Sequence, residues 1–366
     1  MANTIGNNFK ISIFGKSHGD VIGACIDRLP AGIKIDLDII NHDLDLRKPI
    51  KNLSTKRKES DNVKFLSGLF NGISDGTPLV FVIENNNFDS SSYQKGIVRA
   101  NHSDYPSYIK YNGFNDYNGA GMYSGRMSAI LVVIGAIFKQ IVDKKIKVFS
   151  HIKQLAKYQD DDFDYSDKQI ESLNNQTFPV INDNIKQKME NKIKKVRKEN
   201  DSIGAIVETC ILNLDVGIGE PFFDSIESYI SKLIFSIGSI KGIEFGDGFD
   251  FVNRKGSEVL DILQYENDNI VIKSNHNGGI NGGLSNGNPI MFKTIVKPTN
   301  SIYQDYPSID LIKKENITYH NEGRHDPCIA SRIAIIINNI CYIALYDLYL
   351  ENKKYQKWNI ILLEKA

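Results

Sequence analysis

An excess charge of either sign is missing from this sequence. Its 366 residues carry 44 basic and 44 acidic side chains, a formal net charge of zero. No global field draws nucleic acid or an anionic membrane, so neither is an expected partner. Any anion site must be a local concentration of charge. Cysteine is scarce as well: Cys25, Cys210, Cys328 and Cys341. None forms a C-x-x-C pair, and their wide separation fits reduced thiols in a cytoplasm better than a disulfide framework or a cysteine-built zinc site. Long uncharged apolar runs are lacking too. Ala129 to Phe138 is wholly apolar but short, and Ile329 to Leu350 carries Arg332, Asn338, Asn339 and Asp347. A membrane-spanning helix needs roughly 20 nearly uncharged residues, so both are expected to be buried core helices. The opening Met1-Ala-Asn-Thr-Ile-Gly6 has no basic region followed by an apolar one, and a cytoplasmic location is expected. No Pro- or Ser-rich linker and no repeat period divides the chain, so residues 1–366 read as a single domain.

Hydrophobic residues make up 41% of the chain, enough for a sizeable core. Phe9 to Phe14 alternates as a strand and ends at Gly15-Lys-Ser-His-Gly19. Asp36 to Leu46 has a helical pattern, and Arg47 to Asp61 reads as an exposed basic loop. Pro78 to Ile83, Ala205 to Leu212 and Ile290 to Val296 read as strands. Asn85 to Tyr123 is loop-rich and aromatic, which marks a functional segment rather than a disordered one. The turn Gly119-Ala-Gly-Met-Tyr-Ser-Gly125 leads into a helix from about Arg126 to Val142, and Phe222 to Ile237 reads as another. Ile185, Met189, Ile193 and Val196 form one apolar stripe on a Lys-rich helix. Strands and helices mix without strict β-α-β alternation, which gives an α+β class.

The densest local signal is Gly278-Gly-Ile-Asn-Gly-Gly-Leu-Ser-Asn-Gly287. Glycine beside a strand is costly, and a cluster is kept where backbone must approach something closely. A flat, phosphate-bearing ligand is the expected neighbour. His18, His102 and His325 sit in turn-like polar contexts and suit proton transfer near neutrality. Arg47, Lys48, Lys51, Arg57, Arg99, Arg126, Lys297 and Arg324 lie in or beside the same loops. If those loops converge, a neutral protein gains a cationic pocket suited to carboxylate and phosphate. Gly283-Leu-Ser-Asn-Gly287 matches G-x-S-x-G, but a strand rather than a helix follows it, so an acyl-transfer serine is not favoured. A metal held by His18, Asp20, His102, His325 and Asp326 lacks any ligand pair at helical spacing, and no metal is expected.

Taken in order, these segments resemble the chorismate synthase family over nearly the whole chain. The resemblance rests on Phe14-Gly-Lys-Ser-His-Gly19, Ser54-Thr-Lys-Arg-Lys-Glu-Ser-Asp61, Arg99-Ala-Asn-His-Ser-Asp-Tyr105 and Ser124-Gly-Arg126. Further matches are Asp201-Ser-Ile-Gly-Ala205, Gly219-Glu-Pro-Phe-Phe-Asp224, Gly246-Asp-Gly-Phe-Asp250, Ser274 to Gly283, Lys297-Pro-Thr-Asn-Ser301 and Gly323-Arg-His-Asp-Pro-Cys328. It implies helices sandwiched between antiparallel sheets, a homotetramer, and a lyase of the shikimate pathway for aromatic amino acids. The implied reaction is 1,4-anti elimination of phosphate and a ring hydrogen from 5-enolpyruvylshikimate 3-phosphate. Reduced FMN is required without net oxidation. A separate flavin-reducing system would supply it, with NADP as the associated nucleotide.

Carried over by resemblance, His18 keeps a proton near the flavin and His102 protonates the departing phosphate. Asp326 stands beside flavin N5 with Ser17 as its helper. Arg47, Lys48, Lys51, Arg126 and Arg324 fall on substrate-binding positions. Flavin contacts fall on Met122, Tyr123, Ser124, Gly238, Ser239, Gly282, Lys297, Pro298, Thr299, Asn300 and Ser301, with Arg324 again. The sequence departs from the family at Lys16 for Glu, at Leu46 and Ile50 around the basic loop, at Ala100-Asn101 for Pro-Gly, and at Ala120 for Gly. Two other readings stay open: a non-catalytic flavin- or phosphosugar-binding relative, and a metal-dependent phosphohydrolase.

Overall fold

The computed structural model describes residues 3–54, 61–86, 90–91, 93–321 and 325–363, with side chains to residue 355. Two five-stranded antiparallel sheets enclose a layer of helices. The first runs in the order Thr4–Ile5, Lys10–Gly15, Val21–Asp27, Leu79–Glu84, Val63–Ser67. The second runs Ile240–Phe245, Ile290–Val296, Ala205–Leu212, Lys147–Leu155, Tyr158–Gln159. Between them lie Leu37–Leu46, Ser128–Lys139, Ile226–Ile234 and the long helix Ala330–Leu363. The expected α+β sandwich is the observed one.

Local chemistry sets the helix ends. Asp36 caps the first helix by accepting from Asp38 N at 2.9 Å. The helix expected over 126–142 begins as a tight turn at Gly125–Met127 and becomes α-helical over Ser128–Lys139. The helix expected from Phe222 is shorter, Ile226–Ile234, because Ser225 caps it and the preceding Phe222 and Phe223 stay exposed. The long helix crosses Ser128–Lys139 at Gly135, where a Cβ would stand 2.3 Å from Asn339 O. Only glycine permits that approach.

The long helix is the one described helix apolar and long enough to cross a membrane, and 89% of its most apolar window is buried inside the fold. The four polar residues that interrupt its apolar run each find a partner. Asn338 accepts from Ser150 Oγ at 2.5 Å, Asn339 donates to Asp43 at 3.1 Å, and Arg332 pairs with Asp326 at 3.1 Å. Asp347 accepts from the backbone of Asn7 and Asn8 and from the Tyr229 hydroxyl. It is a core helix, as the interrupting polar residues predicted.

One buried charged cluster lies away from the histidine loops. His151, fully buried, contacts Asp160 at 2.7 Å and Glu208 at 3.0 Å, one carboxylate on each ring nitrogen. Burial alone favours the neutral ring, but those two hydrogen bonds outweigh it and raise the pKa above its ordinary value. The stabilisation is therefore complete below about pH 6.5 and is lost as pH rises through the raised folded value. His151→Gln is expected to lower the melting temperature, with the gap to the parent largest near pH 6 and narrower toward pH 9 by scanning calorimetry. A gap that widens with pH would contradict this.

Candidate functional site

The turn after Lys10–Gly15 carries Ser17 and His18. Ser17 is 1% exposed, and its backbone N–H donates to Gly121 O at 3.2 Å. Its hydroxyl is buried and has no hydrogen-bond partner among the described residues. The His18 Nδ1 meets Ser90 Oγ at 2.8 Å, and its ring stands edge-on to Tyr93 at 5.4 Å. Gly119, at φ +67°, presses on this turn: a Cβ there would stand 2.6 Å from His18 Nε2 and 2.9 Å from Ser17 Oγ. That contact joins the first strand's turn to the segment Met122–Ser124. Met122 and Tyr123 are 40% and 46% exposed, so they border the turn from the open side.

His102 belongs to a second turn. Its Nδ1 lies 2.8 Å from Asp104 Oδ1. Arg99 grips the same carboxylate through Nε and Nη2, both at 2.8 Å. Burial works against the Asp104 carboxylate, but hydrogen bonds from Arg99 and His102 hold its pKa well below the usual range. The guanidinium of Arg99 also lies 5.3 Å from the Tyr93 ring centre. Tyr93 therefore touches both turns, and one chain of contacts runs His18, Tyr93, Arg99, Asp104, His102. In the sequence Arg99 is one cation among many, and Tyr93 and Asp104 do not stand out as site residues. The H-x-D spacing of His102 and Asp104 was the available signal.

The strand Ile290–Val296 delivers Lys297, Pro298, Thr299, Asn300 and Ser301 against this second turn. Lys297 Nζ donates to Asn101 O at 3.3 Å and Asn300 donates to Ala100 O at 3.2 Å. Thr299 Oγ1 donates to Asp326 O at 2.8 Å, which brings Asp326 to the same loop. Lys297 N donates to Ser239 O at 2.9 Å, which brings Gly238 and Ser239 alongside. A Cβ on Gly238 would meet nothing within 4 Å, so that surface is open. The Lys297 ammonium is held below its ordinary pKa by desolvation and by Lys241. Two neighbouring cations with open space beside them suit a phosphate. The orphaned Ser17 hydroxyl, the bare Gly238 surface and this lysine pair fit a flat, phosphate-bearing group such as a flavin mononucleotide.

His325 lies beside the same cluster. Desolvation, then the charges of Arg99 and His102, lower its pKa to about 4. It is therefore a neutral imidazole near pH 7, with Nε2 toward Asn321 Oδ1 at 3.0 Å. Its folded pKa lies below the unfolded value, so stability is full above about pH 6.5 and declines as pH falls toward 4. The decline reaches at most about 1.4 kcal/mol per pH unit. His325→Gln is expected to flatten the acid side of the parent's stability curve between pH 6.5 and 4, read by chemical denaturation. An unaltered acid limb would refute it.

The arginine region differs from expectation. Arg47 and Asp61, expected in an exposed loop, are 5% and 6% exposed. Arg47 contacts Asp61, Ser128 Oγ and Gly125 O, and Arg126 contacts Asp61, Asn85 and Glu84 O. Burying guanidinium groups requires such acceptors, and the carboxylate at 61 supplies the charge. Lys48 instead forms an exposed pair with Asp45, and Lys51 is exposed on a turn. Arg57 and Arg324 lie outside the described residues.

The glycine cluster is also explained differently from its sequence reading. Gly278, Gly279 and Gly283 approach the protein's own Gly246, Pro289 and Ser225, where a Cβ would stand within 2.4 to 2.7 Å. These glycines pack chain on chain in a small hairpin, Ile280–Asn281 with Leu284–Ser285. Gly282 alone among those four has open space above it. A cavity of about 270 Å³ adjoins the Arg99–Asp104 pair and is walled by Tyr93, Tyr108, Tyr117 and Tyr319. Its lining does not include His18, His102 or Asp326, so it neighbours the candidate site rather than forming it.

Comparison with known proteins follows the same outline. A family model described as chorismate synthase matches residues 9–350. Chorismate synthase of Dehalococcoides mccartyi strain BAV1 is 38% identical over 355 residues, covering 96% of this chain and 97% of that protein. That of Methanobrevibacter smithii is 38% identical over 353 residues, covering 95% and 96%. That of Azobacteroides pseudotrichonymphae is 38% identical over 358 residues, covering 96% and 99%. A crystal structure of chorismate synthase superposes with a TM-score of 0.74 at 22% identity, covering 95% of this chain and 93% of that one, and so shares the fold. With two antiparallel sheets about a helical layer, and with relatives matched over almost their full length, this chain belongs to the chorismate synthase family.

Proposed function

We propose that the turns bearing His18 and His102 flank one reaction site for 5-enolpyruvylshikimate 3-phosphate. Membership of the family makes the chain a phosphate-eliminating lyase of aromatic amino acid biosynthesis. The observation that carries the residue-level reading is the unbroken contact chain from His18 through Tyr93 and Arg99 to Asp104 and His102. The substrate bears two carboxylates and a phosphate, which call for several cations in one place.

In the reaction the C–O bond to phosphate breaks and its electron pair leaves with the phosphate. A ring C–H bond at the far end of the allylic system breaks: its proton passes to a base, its electrons form a new ring double bond, and the existing double bond shifts to the carbon that loses phosphate. His102 protonates the departing phosphate, and Arg99, already fixed on Asp104, contributes positive potential beside it. Arg47 and Arg126, which fall on substrate-binding positions, would add positive potential. His18 would hold a proton near the flavin, and Asp326, with Ser17 as its helper, would stand beside it. Met122 to Ser124, Gly238, Ser239, Gly282 and Lys297 to Ser301 would hold reduced FMN, with Lys241 and Lys297 nearest its phosphate. When bound, reduced FMN supplies transient electron density and a base at N5. The protein orients both ligands and excludes water.

A cytoplasmic location and a separate flavin-reducing system complete the proposal. So does assembly as a homotetramer, supported by the exposure of the large apolar side chains Phe222, Phe223, Phe249, Val252 and Tyr265, which other copies of the chain could cover. The test is an anaerobic assay with chemically reduced FMN. Chorismate and phosphate should appear in equal amounts and ignore chelator. Binding without product would favour a non-catalytic relative. Phosphate without chorismate, stopped by chelator, would favour a phosphohydrolase.

A further inference from the structure

Asp61 has no role in the scheme so far, yet its buried carboxylate is shared by two of the cations in it. Its side chain is 2% exposed. Oδ2 lies 3.3 Å from Arg47 Nη1, and Oδ1 receives Arg126 Nη1. The two arginine side chains are themselves only 6% and 2% exposed. Two like charges brought this close out of water repel, and an anion between them cancels the repulsion.

The contacts continue from the arginines into both halves of the first turn. Arg126 Nε donates to Asn85 Oδ1 at 3.0 Å. Asn85 Nδ2 then donates to Lys16 O at 3.0 Å and Gly19 O at 2.8 Å. Those two carbonyls bracket Ser17 and His18. On the other side, Arg47 Nη2 donates to Gly125 O at 3.0 Å and Nε to Ser128 Oγ at 3.1 Å, which fixes the end of the Met122–Ser124 turn. One carboxylate therefore underlies the loop that carries His18 and the loop expected to face the flavin.

We propose that Asp61 is a positioning residue: it clamps Arg47 to Arg126 and, through Asn85, holds the Lys16–Gly19 turn so that His18 faces the reacting ligands. The proposal rests on the lyase reading above. It differs from a simple anion-binding role for the two arginines, because their donors serve the scaffold as well as the potential.

The test uses the full-length chain with reduced FMN. Asp61→Ala removes the anion and leaves room for a small carboxylate. The expected result is a fall in kcat of roughly 10- to 100-fold, as for misplacement by about an ångström, with KM raised several-fold. Formate should restore much of both in enzyme already folded by circular dichroism at the assay temperature, which separates rescue of the site from rescue of folding. Asp61→Asn keeps the shape and one acceptor but fills the space, so its defect should be intermediate and indifferent to formate. Parent-like kcat and KM in a folded Asp61→Ala would overturn the proposal. So would a loss that formate leaves unchanged while Asp61→Asn is fully active. If Asp61→Ala does not fold, Asp61→Asn decides: parent-like constants refute the proposal, and loss with an unchanged fold supports it. A parent that makes no chorismate would overturn the lyase reading and this role together, whereas an active parent isolates Asp61.

Discussion

His102→Ala is expected to lower kcat by roughly 100- to 10,000-fold while leaving substrate affinity within a few-fold of the parent. The expectation starts from the ring's surroundings. Nδ1 is committed to Asp104 Oδ1 at 2.8 Å, so Nε2 is the nitrogen available to a ligand. The side chain is 14% exposed, low enough to be held and high enough to be reached. A departing phosphate gains negative charge as the C–O bond breaks, and a proton delivered at that moment stabilises the transition state more than the ground state. Removing the proton donor should therefore appear in kcat. Anaerobic rates of chorismate formation, with the substrate dissociation constant measured separately, make the comparison. A variant with parental turnover would remove His102 from the chemistry.

Much of the fold was legible because its signals are local. Alternation marked the strand Lys10–Gly15, short apolar β-rich runs marked Leu79–Glu84 and Ala205–Leu212, and a helical pattern marked Leu37–Leu46. The polar residues of the long helix told core from membrane, since each had to find a buried partner. What was not legible was pairing across the chain. Nothing in the composition of residues 47–61 says that Asp61 will meet Arg126, 65 positions later, and so bury Arg47 and Asp61 at the two ends of a segment that reads as wet loop.

The glycine cluster shows the same limit from the other side. Dense glycine correctly signalled close approach, but sequence does not name what approaches. Gly246 and Ser225, both distant in the chain, proved to be the neighbours of Gly278 and Gly283. Candidate residues were legible where residue types carry chemistry by themselves, as with His18 and His102, which the structure links through Tyr93, Arg99 and Asp104. The site was obscure where a residue acts by holding another. Tyr93, Asn85 and Asp104 are of that kind, and Tyr93 and Asn85 sit in the loop-rich stretch whose aromatic content alone hinted at order.

Asp104 offers the sharpest test of that holding role, through two separate measurements on Asp104→Asn. The first is stability. Arg99 is 6% exposed, and it gives Nε and Nη2 to the carboxylate. Stranding a buried guanidinium typically costs about 3–5 kcal/mol, and the retained amide oxygen should keep the loss at or below the lower end. Because the parent carboxylate titrates below its usual range, its contribution is full above about pH 4 and fades as pH falls toward the folded value. The stability gap between parent and variant should therefore shrink in acid, and a constant gap would mean that the ion pair is not its source. The second measurement is turnover. An amide can hold the imidazole through its oxygen but cannot balance an imidazolium, so kcat should fall about 10- to 100-fold with KM little changed, at or below the lower end of the roughly 100- to 10,000-fold ascribed to placed general acids. If that loss passes through His102, it cannot be incurred twice. Adding Asp104→Asn to His102→Ala should cost little further turnover, as expected of groups that act as one unit. Losses that multiply would show that Asp104 serves the reaction by a route that bypasses the imidazole, and the contact at 2.8 Å would then be structural only.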